Sequence, residues 1–132
     1  MSAAKGFDSE ALARRLGEIA DSKGASEIVA LDMRGLVSYT DYLEICTARN
    51  ERQARAIVDE VRLRLKNEMG LLPGGVEGDG AAGWIVLDYL DSVLHVFTAD
   101  ARRRYALEDL WREAPRLELD LDEPEARSAA SA

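Results

Sequence analysis

The sequence is poor in the side chains that form disulfides or hold metal ions. Its 132 residues include one cysteine, Cys46, and one histidine, His95. A single cysteine excludes an internal disulfide, and one Cys with one His cannot supply the three or four ligands of a zinc site. Cys46 lies in an apolar run with no cationic neighbour, so we expect a buried, unreactive thiol. A Ser-His-Asp centre is disfavoured too, because Ser92, the serine nearest to His95 in the chain, is predicted to lie at a turn and face away.

Long apolar runs are also missing. No stretch approaches the roughly 20 apolar residues that a membrane helix needs. The first ten residues carry neither the apolar core of a secretory signal nor the arginines of a transit peptide. We therefore expect a single soluble, cytoplasmic domain with no membrane partner.

Basic charge is in deficit. The chain has 17 Lys and Arg residues against 25 Asp and Glu residues, a net charge of −8. This balance opposes nonspecific binding to the phosphate backbone of nucleic acid. It suits a basic protein partner instead, whose approach would be steered by the opposite charge.

A phosphate-binding loop is absent as well. Residues 71–83 hold five of the ten glycines, but neither GxxxxGK[ST] nor GxGxxG occurs there and no lysine lies nearby. We interpret the segment as a connection whose flexible backbone places Glu77 and Trp84.

The strongest positive signal is the run GWIVLDYLDSVLHVF at 83–97. Two segments rich in β-branched and aromatic residues are separated by only three residues, which is typical of an antiparallel hairpin. We favour a two-residue loop, Leu90-Asp91, which pairs Trp84 with Phe97 and places Trp84 and Asp88 on the same face as His95. A three-residue loop would separate His95 from Trp84, and leucine fits poorly at the positive φ of a two-residue loop.

The remaining elements are predicted from apolar periodicity, caps and strand propensity. Helices are predicted from Asp8 or Ser9 to Gly24, from about 51 to 68 and from about 100 to 111; strands are predicted at 27–33, 42–47 and 76–77. Together with the hairpin they predict one α/β domain with a mixed sheet of four to five strands flanked by about three helices. We assign residues 1–7 to a flexible N-terminus, 8–112 to the domain and 113–132 to an acidic, disordered tail.

Two further classes stay open on the residues alone. Asp32, Asp88 and Asp91 would serve a small metal-dependent nucleotidyltransferase-like enzyme, although their spacing is not the alternating D-x-D of such sites. Arg52, Arg55 and Arg102–Arg104 would serve an RNA-binding module, and the last three are predicted in the first turns of a helix, against its dipole. Acidic residues interspersed on the long helix favour an ion-paired surface there.

Several runs, taken together, resemble a known family. They are DYLEICTA at 41–48, VEG at 76–78, GWIVLDYLDSVLHVFT at 83–98 and RRYALEDLW ending at Trp111. Their order and spacing over residues 10–111 are similar to those of the ribosomal silencing factor (RsfS, Iojap-related) family. The chain departs from the family pattern at Ala48-Arg49-Asn50, where Gly-Thr-Ser is usual, and at Leu90-Asp91, where Gly-Asp is usual.

The resemblance implies a fold related to that of nucleotidyltransferases without the catalytic signature, and hence neither enzyme activity nor a cofactor. It implies binding to the large ribosomal subunit at its fourteenth protein. The bound factor would sterically block subunit association and repress translation under nutrient limitation. A homodimer and a minor contact with ribosomal RNA belong to the same expectation.

The expected contact residues lie in the hairpin, just before it and at the start of the last helix. They are Glu77, Trp84, Asp88, Tyr89, Asp91, His95, Arg102 and Tyr105. The acids would face a basic ribosomal protein, and Trp84 and Tyr89 are candidate aromatic anchors on opposite faces of their strand.

Overall fold

The structure, a computed structural model, describes residues 8–121. In chain order its elements are α1 (Ser9–Ser22), β1 (Ser26–Asp32), β2 (Tyr42–Ala48), α2 (Glu51–Met69), β3 (Gly75–Asp79), β4 (Trp84–Asp88), β5 (Ser92–Thr98), α3 (Ala99–Tyr105), α4 (Leu107–Leu110) and β6 (Arg116–Leu117). A short 3-10 turn, Gly80–Ala82, joins β3 to β4.

The strands form one mixed sheet in the order β3-β4-β5-β2-β1-β6. β2 and β5 run parallel, and the other neighbouring strands are antiparallel. A parallel pair requires a crossover connection, and the chain between β2 and β5 passes through α2 before it returns along β3 and β4. The predicted single α/β domain with a mixed sheet is confirmed, with six strands in the described residues instead of four or five.

The additional strand comes from the segment that the sequence assigned to the acidic tail. β6 pairs with β1, the Ala114 side chain is buried, and Arg14 Nη1 donates to the carbonyl oxygen of Glu118 at 2.8 Å. Proline and acid content predicted no order here, but pairing with the free edge of β1 supplies backbone hydrogen bonds that composition does not reveal. The rest of the assigned termini, 1–7 and 122–132, lies outside the described residues.

One face of the sheet is covered by α1 and α2. The Asp8 side chain accepts from Ala11 N at 2.6 Å, and Asn50 caps α2 through Gln53 N at 2.8 Å; α2 ends at Gly70, whose φ of 63° suits glycine. Neither these helices nor the others between residues 8 and 121 are long and apolar enough to span a membrane. The core beneath them includes Leu12, Leu16, Ile19, Cys46, Ile57, Val61, Leu65, Ile85, Leu87, Leu94 and Val96.

Cys46 lies within this core and is fully buried. Burial is the largest cause that raises the pKa of its thiol, to about 12, so the thiol stays protonated at neutral pH. A buried, protonated thiol is a poor nucleophile, as the sequence predicted.

The opposite face is covered over β1 and β2 and, at Phe97, over the end of β5. Leu31, Leu43 and Ile45 pack there against the chain that follows β5, including Leu107 and Trp111. In β4 and β5 the side chains that point to this face are mostly half-buried. The alternate side chains of the same strands point to the other face and are buried under α2. This open half is where a partner can reach the sheet.

The predicted helix over 100–111 is wrong in one respect. It is two helices, because Ala106 adopts a left-handed conformation with φ 45° between α3 and α4. Arg102, Arg103 and Arg104 therefore lie in the last turn of α3, where cations stabilise the helix dipole. The prediction that they lie in a first turn is wrong, and so they no longer indicate a function.

The hairpin has the two-residue loop that the sequence favoured. Trp84 pairs with Phe97, and Tyr89 N donates to Ser92 O at 3.0 Å. Leu90 takes the unfavourable positive φ, 72°. Asp88 Oδ1 accepts from Leu90 N at 2.8 Å, and this Asx turn stabilises the loop without glycine.

Candidate protein-docking face

Four aromatic rings gather where β4 and β5 meet α3. The ring centroid of Trp84 lies 5.0 Å from that of Phe97, 5.9 Å from that of His95 and 4.5 Å from that of Tyr105. Phe97 is fully buried at the base, Trp84 and His95 are half-buried, and Tyr105 is 47% exposed. We call these four residues the aromatic cluster. Contacts at this range are worth about 0.5–1.5 kcal/mol per pair beyond their burial, so the rings hold one another in place.

A hydrogen bond fixes the two rings that sit on neighbouring strands. Trp84 Nε1 donates to His95 Nδ1 at 3.0 Å. Burial lowers the pKa of His95 to about 4, from its ordinary value of 6.5. The imidazole is therefore neutral at physiological pH, and protonation would destroy the acceptor that the indole uses.

The depressed pKa of His95 predicts a pH dependence of stability. Because the folded-state pKa, about 4, lies below the ordinary 6.5, the contribution of the neutral ring is complete above pH 6.5. It is lost as pH falls from 6.5 through 4, at a cost of about 3 kcal/mol. Urea unfolding from pH 7 to pH 4 measures it, with His95→Gln as the non-titrating comparison. Parallel profiles for the two proteins would contradict the prediction.

Around the aromatic cluster the same face carries apolar and acidic side chains. Val86 and Val93 are half-buried, Asp88 is half-buried beside the hairpin turn, and Glu77 is exposed on the edge strand β3 next to Val86. We call the aromatic cluster with these four residues the docking face. An apolar, aromatic centre with a charged rim is the usual anatomy of a protein interface.

Arg102 anchors α3 behind the aromatic cluster. Its Nε and Nη2 donate to the two carboxylate oxygens of Glu108 at 3.0 and 2.8 Å. Its Nη1 donates to the carbonyl oxygen of Glu27 at 2.6 Å and to Thr47 Oγ1 at 2.8 Å. The side chain is only 10% exposed, and hydrogen bonding to Arg102 lowers the pKa of Glu108. This arginine joins α3 and α4 to β1 and β2, and so sets the position from which Tyr105 reaches Trp84.

Replacing Arg102 with methionine should lower the free energy of unfolding by about 1.5 kcal/mol, because four hydrogen bonds are lost and the Glu108 carboxylate is left unpaired. Arg103→Met is the matched control on the same helix, since Arg103 is 72% exposed and pairs with the exposed Asp100. We expect less than about 0.5 kcal/mol for the control. Chemical denaturation measures both, and equal losses would show that the Arg102 contacts add nothing.

Two of the predicted contact residues, Tyr89 and Asp91, do not belong to this face. Tyr89 is 3% exposed in the core under α2, on the side opposite to Trp84, and burial raises its pKa to about 12. Asp91 lies in the hairpin loop, where its carbonyl oxygen accepts from Asp41 N and Tyr42 N at 3.1 Å. Asp88 is on the face, but one of its carboxylate oxygens is engaged in the turn.

Phe97 is the member of the aromatic cluster that our list of contact residues omitted. The hairpin register already placed it opposite Trp84, which was the available signal. Its burial depends on α3 folding back over β5, and only the tertiary structure reveals that contact.

The acids considered for metal chemistry are not arranged for it. Both carboxylate oxygens of Asp32 bind the Arg34 guanidinium, at 2.9 and 2.7 Å, and this bonding lowers the pKa of Asp32. Among residues 8–121 no group of three or more His, Cys, Asp or Glu residues could hold a metal ion.

Several of the basic residues considered for RNA binding are ion-paired. Arg55 pairs with Glu51 on α2 at 2.6 Å, Arg103 pairs with Asp100, and Arg102 is held by Glu108. These pairs favour the ion-paired surface predicted for the long helix, and they reduce the charge that is free to bind phosphate.

Comparison with known proteins gives one family. The model of the family described as "RsfS: Ribosomal silencing factor during starvation" matches residues 7–132. The Bacillus subtilis protein named ribosomal silencing factor RsfS is 40% identical over 100 residues, covering 76% of this chain and 84% of the relative. The protein of the same name from Halalkalibacterium halodurans is 39% identical over 100 residues, covering 76% and 85%.

A solved structure agrees with the sequence relatives. A crystal structure of a Bacillus halodurans protein superposes with a TM-score of 0.70 at 36% identity, covering 85% of this chain and 100% of that one. The superposition covers most of this chain, so it bears on the fold in which the docking face is built.

Proposed function

The chain belongs to the RsfS family of ribosomal silencing factors, and on that premise we propose that it binds the large ribosomal subunit at its fourteenth protein and blocks association with the small subunit. The family's role is regulatory, and the chain is not an enzyme. Its partner is the ribosome; the subunit, the ribosomal protein and the steric mechanism are the content of the proposal.

The observation that carries the proposal is the open half of the sheet. Trp84, His95 and Tyr105 form an aromatic centre that the chain's own helices leave partly exposed. Large aromatic side chains at the centre of an interface provide much of its binding energy. A factor that acts by occupying a surface needs such a face and does not need to catalyse a reaction.

Charge supports a ribosomal protein as the direct contact. The chain carries a net charge of −8, and Glu77 and Asp88 lie at the rim of the docking face. Ribosomal proteins are mostly basic, so these acids would meet lysine and arginine side chains and speed the encounter. Ribosomal RNA would be a minor contact at most, through cations near Tyr105.

The predicted contact residues take different roles in this proposal. Trp84, His95 and Tyr105 touch the partner, and Glu77 and Asp88 pair with its cations, with Asp91 at the hairpin end. Arg102 acts indirectly, because its guanidinium is already bonded within the fold. Tyr89 supports the hairpin from beneath, since it is 3% exposed.

The proposal includes a homodimer and a cytoplasmic location, where the large subunits are. A second copy that covered the docking face would compete with the ribosome, so the dimer would be a form that does not bind the ribosome. Sedimentation equilibrium of wild type and Trp84→Ala distinguishes this arrangement, because only a dimer built on the docking face weakens with Trp84.

The direct experiment uses separated ribosomal subunits. Purified protein is sedimented with large subunits and, separately, with small subunits, and it should pellet with the large ones alone. Added before mixing, it should reduce the fraction of joined ribosomes in a sucrose gradient. Joining that proceeds unchanged while the factor is bound would refute the steric mechanism.

A further inference from the structure

His95 presents one defined ring nitrogen to the outside of the docking face. The indole Nε1–H of Trp84 can only donate, and it points to His95 Nδ1 at 3.0 Å. Nδ1 must therefore carry the lone pair, and the single proton of the neutral ring is on Nε2. The tautomer is thus set by a neighbouring side chain on the adjacent strand.

Nε2 has no partner among the described residues, and it is accessible. In residues 8–121 the fully buried side-chain atoms without a hydrogen-bond partner belong to Tyr42, Glu44, Tyr89 and Ser92. His95 Nε2 is not one of them, and the His95 side chain is half-buried. The docking face therefore holds a rigid N–H donor amid aromatic and apolar side chains.

That donor restricts what can dock over it. When a partner excludes water from the face, an Nε2–H without an acceptor opposes binding, because it has lost its hydrogen bond to water. Lysine and arginine cannot accept a hydrogen bond, and a carboxylate would be repelled by Glu77 and Asp88 on the same face. Neutral oxygen atoms remain as acceptors, and among them the amide carbonyl is the most abundant, because every residue of a protein partner carries one.

We propose that His95 is a specificity-determining residue whose Nε2–H binds an amide carbonyl oxygen, of the main chain or of an Asn or Gln side chain, on the docked ribosomal protein. This inference rests on the proposed docking to the large subunit. It adds the chemistry that the partner must present at the centre of the contact.

The tautomer is tested in the free protein by ¹⁵N NMR of the imidazole at neutral pH. The proton should be on Nε2 in the wild type, and Trp84→Phe, which removes the indole donor, should release a mixture of tautomers. A wild-type ring protonated on Nδ1 would overturn the inference before any ribosome is added.

The acceptor is tested by a pair of variants matched in length. His95→Gln keeps an N–H near the position of Nε2, whereas His95→Met does not. We expect His95→Gln to bind large subunits within about fivefold of wild type and His95→Met to bind about tenfold more weakly than His95→Gln. Equal affinities for the two variants would overturn the inference.

Trp84→Ala distinguishes failure of the His95 inference from failure of the docking proposal. If Trp84→Ala binds weakly while the two His95 variants bind alike, the docking face stands and the specific role of His95 is refuted. If folded Trp84→Ala binds like wild type, the docking face itself is wrong, and the inference falls with it. Thermal unfolding of each variant shows that it is folded at the temperature of the binding measurement.

Discussion

Replacing Trp84 with alanine is expected to weaken binding to large ribosomal subunits about thirtyfold, or about 2 kcal/mol, the scale of an interface hot spot. The indole contacts three other rings and donates to His95, so its removal opens the centre of the docking face. It also releases the His95 ring. Quantitative co-sedimentation with purified subunits measures the change.

The control for Trp84→Ala is an exposed aromatic residue elsewhere. Tyr39 is 63% exposed in the connection between β1 and β2, and Tyr39→Ala should bind large subunits like wild type. The stability of Trp84→Ala must be measured as well, because part of the ring is buried. A folded Trp84→Ala protein with wild-type affinity would remove Trp84 from the interface.

Replacing Glu44 with leucine is expected to raise the free energy of unfolding at pH 7 by about 2–3 kcal/mol. Glu44 is fully buried on β2, and neither carboxylate oxygen has a hydrogen-bond partner among the described residues. Burial raises its pKa well above the ordinary 4.5. Burial therefore favours the neutral form of this acid and removes the solvation that the group has in the unfolded chain.

The same pKa gives the sign of a pH dependence. A folded-state pKa above 4.5 means that the Glu44 contribution is complete below pH 4.5 and is lost as pH rises toward the folded-state value. The advantage of Glu44→Leu should therefore be small at pH 4.5 and increase toward pH 8. Chemical denaturation across this range measures it.

Glu44→Gln is the matched control, since it keeps the shape and removes the titration. It should lose the pH-dependent difference but gain less stability than leucine, because a buried amide still lacks partners. A constant gap between wild type and both variants over this range would show that Glu44 does not titrate as a buried acid.

The packing around Glu44 explains how the acid is accommodated. Gly17 of α1 faces it, and a Cβ at that position would lie 3.4 Å from Glu44 Oε2 and 3.2 Å from Leu119 Cδ1. The absence of a side chain at Gly17 leaves room for the carboxyl group. Nothing in the local sequence around Tyr42–Ala48 distinguishes this glutamate from one that faces solvent.

Local patterns were sufficient for most of the elements. Three features depend only on residues that are near one another in the sequence. They are the helix cap at Asp8, the apolar stripe of α2 with Gly70 at its end, and the hairpin register. Because the hairpin register follows from pairing parity, the sequence also indicated that Trp84 and His95 share a face. The family followed from the order and spacing of motifs along the chain.

The break at Ala106 and the ordered segment after Ala114 were beyond local patterns. The helix before Ala106 is tied to distant residues, since Arg102 bonds Glu27 and Thr47, and β6 uses the edge of β1. Propensity carries no information about a free strand edge or a distant acceptor, since these exist only after the sheet has formed.

By itself, then, the sequence determined the α/β class, the strand pair that bears Trp84 and His95, and the kinship with ribosomal silencing factors. Only the tertiary structure decided which side chains are available to a partner. Folding buried Tyr89 and Phe97, committed Arg102 to the interior and left Trp84, His95 and Tyr105 at the surface. The exposure of a side chain is set by the elements that pack across the sheet, and the sequence pattern does not show which part of the sheet those elements cover.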